Sequence, residues 1–177
     1  ANAQVKRMSA MINGFLNISR LESGKILIEK STFDMEEMIQ EVIDETNLTG
    51  SSHSINFTPG NGIEVYADAG KINSVISNLI SNAIKYSSRG QQVNVGCVVS
   101  EGKVVVSIAD KGIGIEAKDA EKIFERYYRV EANHTQHISG FGIGLYLSAE
   151  IIKRHGGDIW VESEIGKGST FYFSLPL

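Results

Sequence analysis

The stretch NLISNAIKYS, residues 78–87, has the apolar spacing of a helix but carries polar residues that a solvated helix surface would not choose. On a wheel at about 100° per residue, the segment from about residue 69 to 87 gathers Ile72, Ile76, Leu79, Ile80 and Ala83 on one side. Lys71, Asn78, Asn82 and Lys85 fall within about 60° of one another, well away from the centre of that apolar stripe. The helix therefore presents two surfaces, one for a core and one for something polar. Asparagine costs a helix about 0.5 kcal/mol relative to alanine, and an exposed face is more cheaply built from Glu, Lys or Gln. A plain solvated face is the alternative, and it suffices for Lys71 and Ser81. For the asparagines, an amide oxygen can ligate Mg²⁺ directly or through water, and a lysine one turn on can meet phosphate as a point charge.

Working outward toward the N-terminus, DMEEMIQEVIDETN reads as an amphipathic helix with Met35, Met38, Ile39, Val42 and Ile43 on its apolar face. Asp34 is its cap, and Glu37 three residues on gives the spacing of a capping box. Two short strands, around SINFT and IEVYA, are separated by the turn residues PGNG and are expected to pair as a hairpin. Earlier still, Met8, Met11, Phe15 and Ile18 form a helical stripe over residues 2–22, which SGK at 23–25 stops. The domain boundary is placed there, with a helical segment over 1–24 and the main domain over 25–177. Beyond the asparagine-bearing helix come two strands, QQVNVGCVVS and KVVVSIAD, and a glycine-punctuated loop. A short helix near EAKDAEKIFERYY, a polar stretch, the helix GIGLYLSAEIIKRHG and two last strands, DIWVESE and STFYFSLP, complete the chain. Strands and helices do not alternate regularly, which points to an α+β sandwich and not to a doubly wound parallel sheet. Trp160 and the Phe and Tyr residues of the last strands are expected in its core.

Composition limits the function classes. The 177 residues, 42% hydrophobic and 21% charged, can bury one sizeable core. A net charge of -4 and no run of more than two basic residues argue against a surface built to neutralise nucleic-acid phosphates. The single cysteine, Cys97, excludes an intrachain disulfide and suits a reducing compartment. No apolar run is long enough for a membrane span and no signal-peptide pattern is visible, so a soluble domain is expected. The chain also begins in mid-pattern without Met, as a piece of something longer would.

Three further motifs carry chemistry. In VVVSIADKGIGI a strand runs into Asp110, and Gly112 and Gly114 permit close backbone approach at the turn that follows. Asp110 is acceptor-only when ionised and could select a ligand N–H such as the adenine amino group, or could merely cap the turn. In SGFGIGLYLSAEII, Gly140, Gly142 and Gly144 lead straight into a helix, leaving free N–H groups and the positive dipole end open to an anion. The spacing is not the G-x-G-x-x-G of dinucleotide folds, and no G-x-x-x-x-G-K-[ST] loop is present. In GKGSTFYFSLP, Gly166 and Gly168 form a turn which by itself is an ordinary hairpin.

Taken in order, N-x-x-x-N-x-x-K-Y-S, D-x-G-x-G, F-E-x-x-Y-R, G-x-G-x-G-L and G-x-G-[ST] resemble the catalytic and ATP-binding domain of sensor histidine kinases, in the gyrase, Hsp90, histidine kinase and MutL superfamily. The resemblance runs from about Lys25 to the end, and FLNISRLESGKI is similar to the end of the second dimerisation helix and the linker of such kinases. It implies a Bergerat-type two-layer α/β sandwich, a mixed sheet of about five strands under three helices, preceded by an N-terminal helix. It also implies ATP and Mg²⁺ as ligands beneath a mobile lid over residues 130–139. By position, Asn82 would hold Mg²⁺ with Asn78 beside it, and Lys85 and Tyr86 would reach the phosphates or ribose. Asp110 would bind the adenine amino group, Gly112 and Gly114 would admit the base, and Thr170 would lie near it. Phe124 would anchor the lid, with Tyr128 and Arg129 approaching the nucleotide, Arg129 at the γ-phosphate. Gly140, Gly142, Gly144 and Leu145 would offer backbone N–H groups to the phosphates.

The hydrolysing branches of the superfamily carry a Glu four residues before the Mg²⁺ asparagine, to activate water; here that place is Asn78, and an amide is no general base. The resemblance names histidine as the alternative nucleophile. His53, His134, His137 and His155 lack the acceptor pattern of a following acid, basic residue and proline, and read as loop or surface residues, with a weak metal site at His134 and His137 the lesser alternative. The implied partners are ATP, the protein's own dimerisation domain carrying the acceptor histidine, a response regulator receiver domain and a second copy of the full-length protein, with no nucleic acid. A cytoplasmic domain is implied, in a full-length protein that can be anchored in the inner membrane. The other readings are an ATP-hydrolysing clamp and a pseudokinase that retains the fold to bind a partner.

Overall fold

The fold was analysed in a computed structural model that describes residues 27–50, 53–88, 90–130 and 142–177. The helix expected over 2–22, Gly140, His134, His137 and all but Val130 of the expected lid lie outside the described residues.

In chain order the elements are β1 (Ser31–Asp34), α1 (Met35–Leu48), β2 (Ser54–Asn56), β3 (Glu64–Ala67), α2 (Ala69–Tyr86), β4 (Gln92–Ser100), β5 (Lys103–Asp110), α3 (Gly144–Arg154), β6 (Ile159–Glu164) and β7 (Gly168–Pro176). Five strands form one mixed sheet in the order β2-β4-β5-β7-β6, with β2 parallel to β4 and every other pair antiparallel. Period-two alternation turns Val104, Val106, Ile108 and Asp110 of β5, and Phe171, Phe173 and Leu175 of β7, toward the helices. The helices answer with Met35, Ile39 and Val42 of α1, Ile151 and Ile152 of α3, and the stripe of α2, where Ile72, Val75, Ile76, Leu79, Ile80 and Ala83 are all buried. Each large side chain so buried contributes about 1.5–3 kcal/mol of transfer free energy. The α+β sandwich expected from the sequence, a five-stranded mixed sheet under three helices, is what these residues form.

Four expectations are corrected. The SINFT and IEVYA segments do not form a hairpin: β2 pairs in parallel with β4, while β3 pairs antiparallel with β1 in a separate two-stranded sheet. The PGNG turn is claimed by α1 instead. The buried carboxylate of Glu36 accepts from Gly60 N at 2.9 Å and Gly62 N at 2.8 Å, and Met35 N donates to Ile63 O at 2.9 Å. Asp34 caps α1 as expected, accepting from Glu36 N and Glu37 N. The helix expected near residues 116–128 is a run of turns with a single 3₁₀ turn, Lys122–Phe124. Trp160 and Tyr172 are half-buried on the sheet face away from the helices, stacked with centroids 5.1 Å apart, because their strand neighbours Ile159, Val161, Phe171 and Phe173 take the core side. His53 and His155 are buried, not surface residues. His155 caps the end of α3, accepting from Asp68 N at its Nε2 (3.0 Å) with Nδ1 2.7 Å from Ile151 O.

Candidate nucleotide-binding site

The C-terminal end of α2 is stitched to the loop that follows β5. Ser87 and Gly112 form an antiparallel bridge, and Ile113 N donates to Tyr86 O at 3.3 Å. These bonds place the backbone of Tyr86 against Gly112, two residues after Asp110, which closes β5. Asp110 is buried and its Oδ1 accepts from Gly112 N at 2.7 Å. Burial pushes its carboxyl above the ordinary range, and hydrogen bonds from the backbones of Gly112 and Ser169 only partly offset that. An ionised carboxylate offers about four lone-pair sites, so two backbone donors fix its position and leave capacity for a ligand N–H.

Close approach explains the glycines here. A Cβ at Gly112 would lie 2.5 Å from Tyr86 O and 2.6 Å from Asp110 Oδ1. At Gly114, φ is 74° and a Cβ would overlap the carbonyl of Glu164 at the end of β6. The turn between β6 and β7 belongs to the same assembly: Gly166 N donates to Ile113 O at 2.8 Å, and a Cβ at Gly168 would overlap the Asp110 carbonyl. Read alone in the sequence that turn was an ordinary hairpin; in the fold it backs Asp110. Thr170 sits two residues beyond Gly168, between Ala109 of β5 and Glu162 of β6.

The polar face of α2 meets the N-terminus of α3. Asn78 Nδ2 donates to Ser148 Oγ at 3.0 Å, and a Cβ at Gly144 would lie 2.5 Å from Asn78 Oδ1. Asn82, one turn further along α2 and half-buried, shares that face. Ile143 caps α3 without a side-chain hydrogen bond, so the N–H groups of Gly144, Leu145 and Tyr146 in the first turn have no side-chain cap of their own. Leu145 also packs its side chain on the core.

A cationic corner lies at the end of α2. Burial lowers the Lys85 ammonium below its ordinary value, and the Arg129 guanidinium nearby lowers it further. Burial raises the Tyr86 phenol, with Arg129 opposing. Two cations held near one another are relieved by an anion between them. The Tyr128 hydroxyl donates to Oδ1 of the buried Asp119 at 2.6 Å. Tyr127 N donates to Gly142 O at 2.9 Å, so the chain on either side of residues 131–141 is drawn together, with Gly142 at φ 67° against the Tyr127 and Tyr128 backbone. Among the described residues no group of three His, Cys, Asp or Glu could hold a metal. The amides of Asn78 and Asn82 are neutral, a donor set that suits Mg²⁺ arriving with phosphate oxygens that supply the negative charge. Sequence reasoning missed Ser148 and Asp119; Ser148 lies four residues after Gly144, the one spacing that could have flagged it.

Residues 67–177 match the family model described as histidine kinase-, DNA gyrase B-, and HSP90-like ATPase. That is more than half of the chain. The chain belongs to this family. Within it, the chain is similar to sensor histidine kinases: it is 36% identical over 177 residues to sensor histidine kinase WalK of Bacillus subtilis, covering 98% of this chain and 29% of that protein. It is 34% identical over 181 residues to the adaptive-response sensory kinase SasA of Thermosynechococcus vestitus, covering 100% of this chain and 47% of that protein. The chain thus spans less than half the length of these relatives. Among solved structures, the catalytic domain of histidine kinase ThkA superposes with a TM-score of 0.71 at 30% identity, covering 84% of this chain and 95% of the other. The histidine kinase AdeS of Acinetobacter baumannii shares the fold, with a TM-score of 0.78 at 23% identity, covering 98% of this chain and 80% of the other. The sequence resemblance to the catalytic and ATP-binding domain of sensor histidine kinases is borne out, and Asn78, Asn82, Gly112, Gly114, Gly142, Gly144 and Gly168 lie inside the matched ATPase region.

Proposed function

We propose that this ATPase-family domain binds Mg·ATP and donates the γ-phosphate to a histidine of a dimerisation domain, for relay to a response regulator. Asn78 is the observation that carries this reading. It stands where the hydrolysing branches are expected to carry a general-base glutamate, and its amide is committed to Ser148. A site without a base to activate water holds ATP for a nucleophile brought to it.

In this reading Asp110 accepts the adenine amino N–H, with Gly112 and Gly114 giving the base room and Tyr86 and Thr170 at its margins. Lys85 and Arg129 meet the phosphates, Arg129 the γ-phosphate, and the backbone N–H groups of Gly140, Gly142, Gly144 and Leu145 cradle them at the helix end. Tyr128 lines the approach by holding the 127–130 segment to Asp119. Asn82 would hold Mg²⁺, supported by Asn78, and the ion would supply charge neutralisation on the transferring phosphoryl group. A histidine nitrogen then bonds to the γ-phosphorus as the bond to the β-γ bridging oxygen breaks, and ADP leaves with that electron pair.

Residues 1–24 we read as the end of the second dimerisation helix with its linker, and 25–177 as the catalytic domain. A homodimer and a cytoplasmic domain, in a protein that can be anchored in the inner membrane, belong to the same proposal. No helix of the described residues is long and apolar enough to cross a membrane. The test is incubation with γ-labelled ATP. Alone, the chain is expected to yield no acid-labile phosphohistidine and no steady phosphate release, and to label a dimerisation domain supplied with it. Phosphohistidine on the chain by itself would overturn the separation of acceptor and catalyst, and steady phosphate release would favour the hydrolysing clamp.

A further inference from the structure

Gly144 and Ser148 are one helical turn apart, so they share the face of α3 that meets α2. Between them they contact both ends of a single side chain. Ser148 Oγ accepts from Asn78 Nδ2 at 3.0 Å, and the space a Cβ would take at Gly144 lies 2.5 Å from Asn78 Oδ1. Ser148 is buried, 2% exposed, so its hydroxyl has no bulk water with which to replace this bond. This bond holds the Asn78 side chain at the α2–α3 contact; the hydroxyl, which can donate as well as accept, anchors the amide without itself choosing between its two ends. With Nδ2 bound to Ser148, the acceptor oxygen faces the N-terminus of α3. An acceptor oxygen directed at a phosphate site is repelled unless a cation or its bound water lies between them.

We propose that Ser148 is a positioning residue: it anchors the Asn78 amide at the α2–α3 contact so that its oxygen serves the metal, and thereby sets the preference of the site for Mg·ATP over metal-free ATP. The inference rests on the proposed function and goes beyond it by adding a residue that never touches nucleotide. Gly144 is the complementary part, since any side chain there would displace the oxygen of the amide that Ser148 anchors.

The test is a double-mutant cycle read by calorimetric titration of ATP, with and without Mg²⁺, on the chain and its Ser148→Ala, Asn78→Ala and doubly substituted forms. Ser148→Ala is expected to weaken Mg·ATP binding by about 3- to 10-fold, the effect of one hydrogen bond, while metal-free ATP changes by less than about twofold. With Asn78 already replaced, Ser148→Ala is expected to have no further effect on the Mg²⁺-dependent gain. The Asn78 side-chain amide resonance provides a second readout, and is expected to shift in Ser148→Ala where those of other asparagines do not. Equal weakening with and without Mg²⁺, the same weakening in the Asn78→Ala background, or an unmoved Asn78 resonance would reduce Ser148 to a packing residue. If the unsubstituted chain binds ATP and Ser148→Ala matches it, this inference alone fails; if the unsubstituted chain binds no ATP, the proposed function fails with it.

Discussion

Asp110 concentrates the residue-scale chemistry, because burial and ligand selection act on the same carboxyl. Its elevated affinity for a proton comes first from burial, against backbone hydrogen bonds that favour the charge. The native state therefore holds this proton more tightly than the unfolded chain does. The sign follows: between the ordinary value of 3.8 and the higher folded value, rising pH removes stability, and below 3.8 the contribution is fully present. Asp110→Asn is expected to flatten that part of the pH profile, measured by urea unfolding across the window, and to weaken ATP binding by about tenfold or more through loss of a charge-assisted hydrogen bond. Gly112→Ala is expected to weaken binding as well, because its methyl would meet Tyr86 O and the Asp110 carboxylate. These residues were legible in the sequence, since an aspartate at a strand end followed by alternate glycines has a physical reason to stand out. Ser148 and Asp119 were not: a serine inside a helix and an aspartate in a turn are unremarkable until a partner 70 residues away, or nine, is brought to them.

Individual elements show where local patterning succeeds and where it fails. The limits of α2 and its buried stripe follow from periodicity alone, because the helix supplies its own hydrogen bonds and needs only one apolar face. The segments around PGNG look like a hairpin for the same local reasons, yet the donors of that turn are taken by Glu36, 24 and 26 residues earlier. No window of neighbouring residues contains that competition. Glu36→Ala is expected to destabilise the fold by about 1–3 kcal/mol, by leaving two backbone N–H groups without their acceptor. Glu37→Ala, at an exposed position of the same turn, is expected to cost less than about 0.5 kcal/mol. Chemical unfolding of the two variants checks the difference, and equal losses would contradict the role given to Glu36.

Across the whole molecule, three segments distant in sequence meet at Asp68. Its carboxylate accepts from Glu29 N and Lys71 N, both at 3.0 Å, and its own N–H donates to His155 at the far end of α3. The segment before β1 is thereby tied to α2 and to the helix whose other end faces Asn78. Burial alone would raise the Asp68 carboxyl, but the two backbone donors and the charge of Lys71 more than offset it and hold it below 3.8. That stability is present above 3.8 and is lost as pH falls through the lowered folded value, the opposite sign to Asp110. Asp68→Asn is expected to lessen the acid-induced loss, as seen in thermal unfolding below pH 4. Sheet order was the least legible feature at this scale, because the alternation that makes β5 and β7 strands does not say that they are neighbours. The family resemblance supplied the architecture that local patterning could not.

Calorimetric titration of the chain with ATP, with and without Mg²⁺, beside its Asn82→Ala variant, tests the nucleotide site most directly. Saturable binding that strengthens with Mg²⁺, and loses that gain in Asn82→Ala, is the expected result. Binding that is absent, or indifferent both to Mg²⁺ and to Asn82, would contradict a site built for Mg·ATP and leave the fold as a partner-binding module.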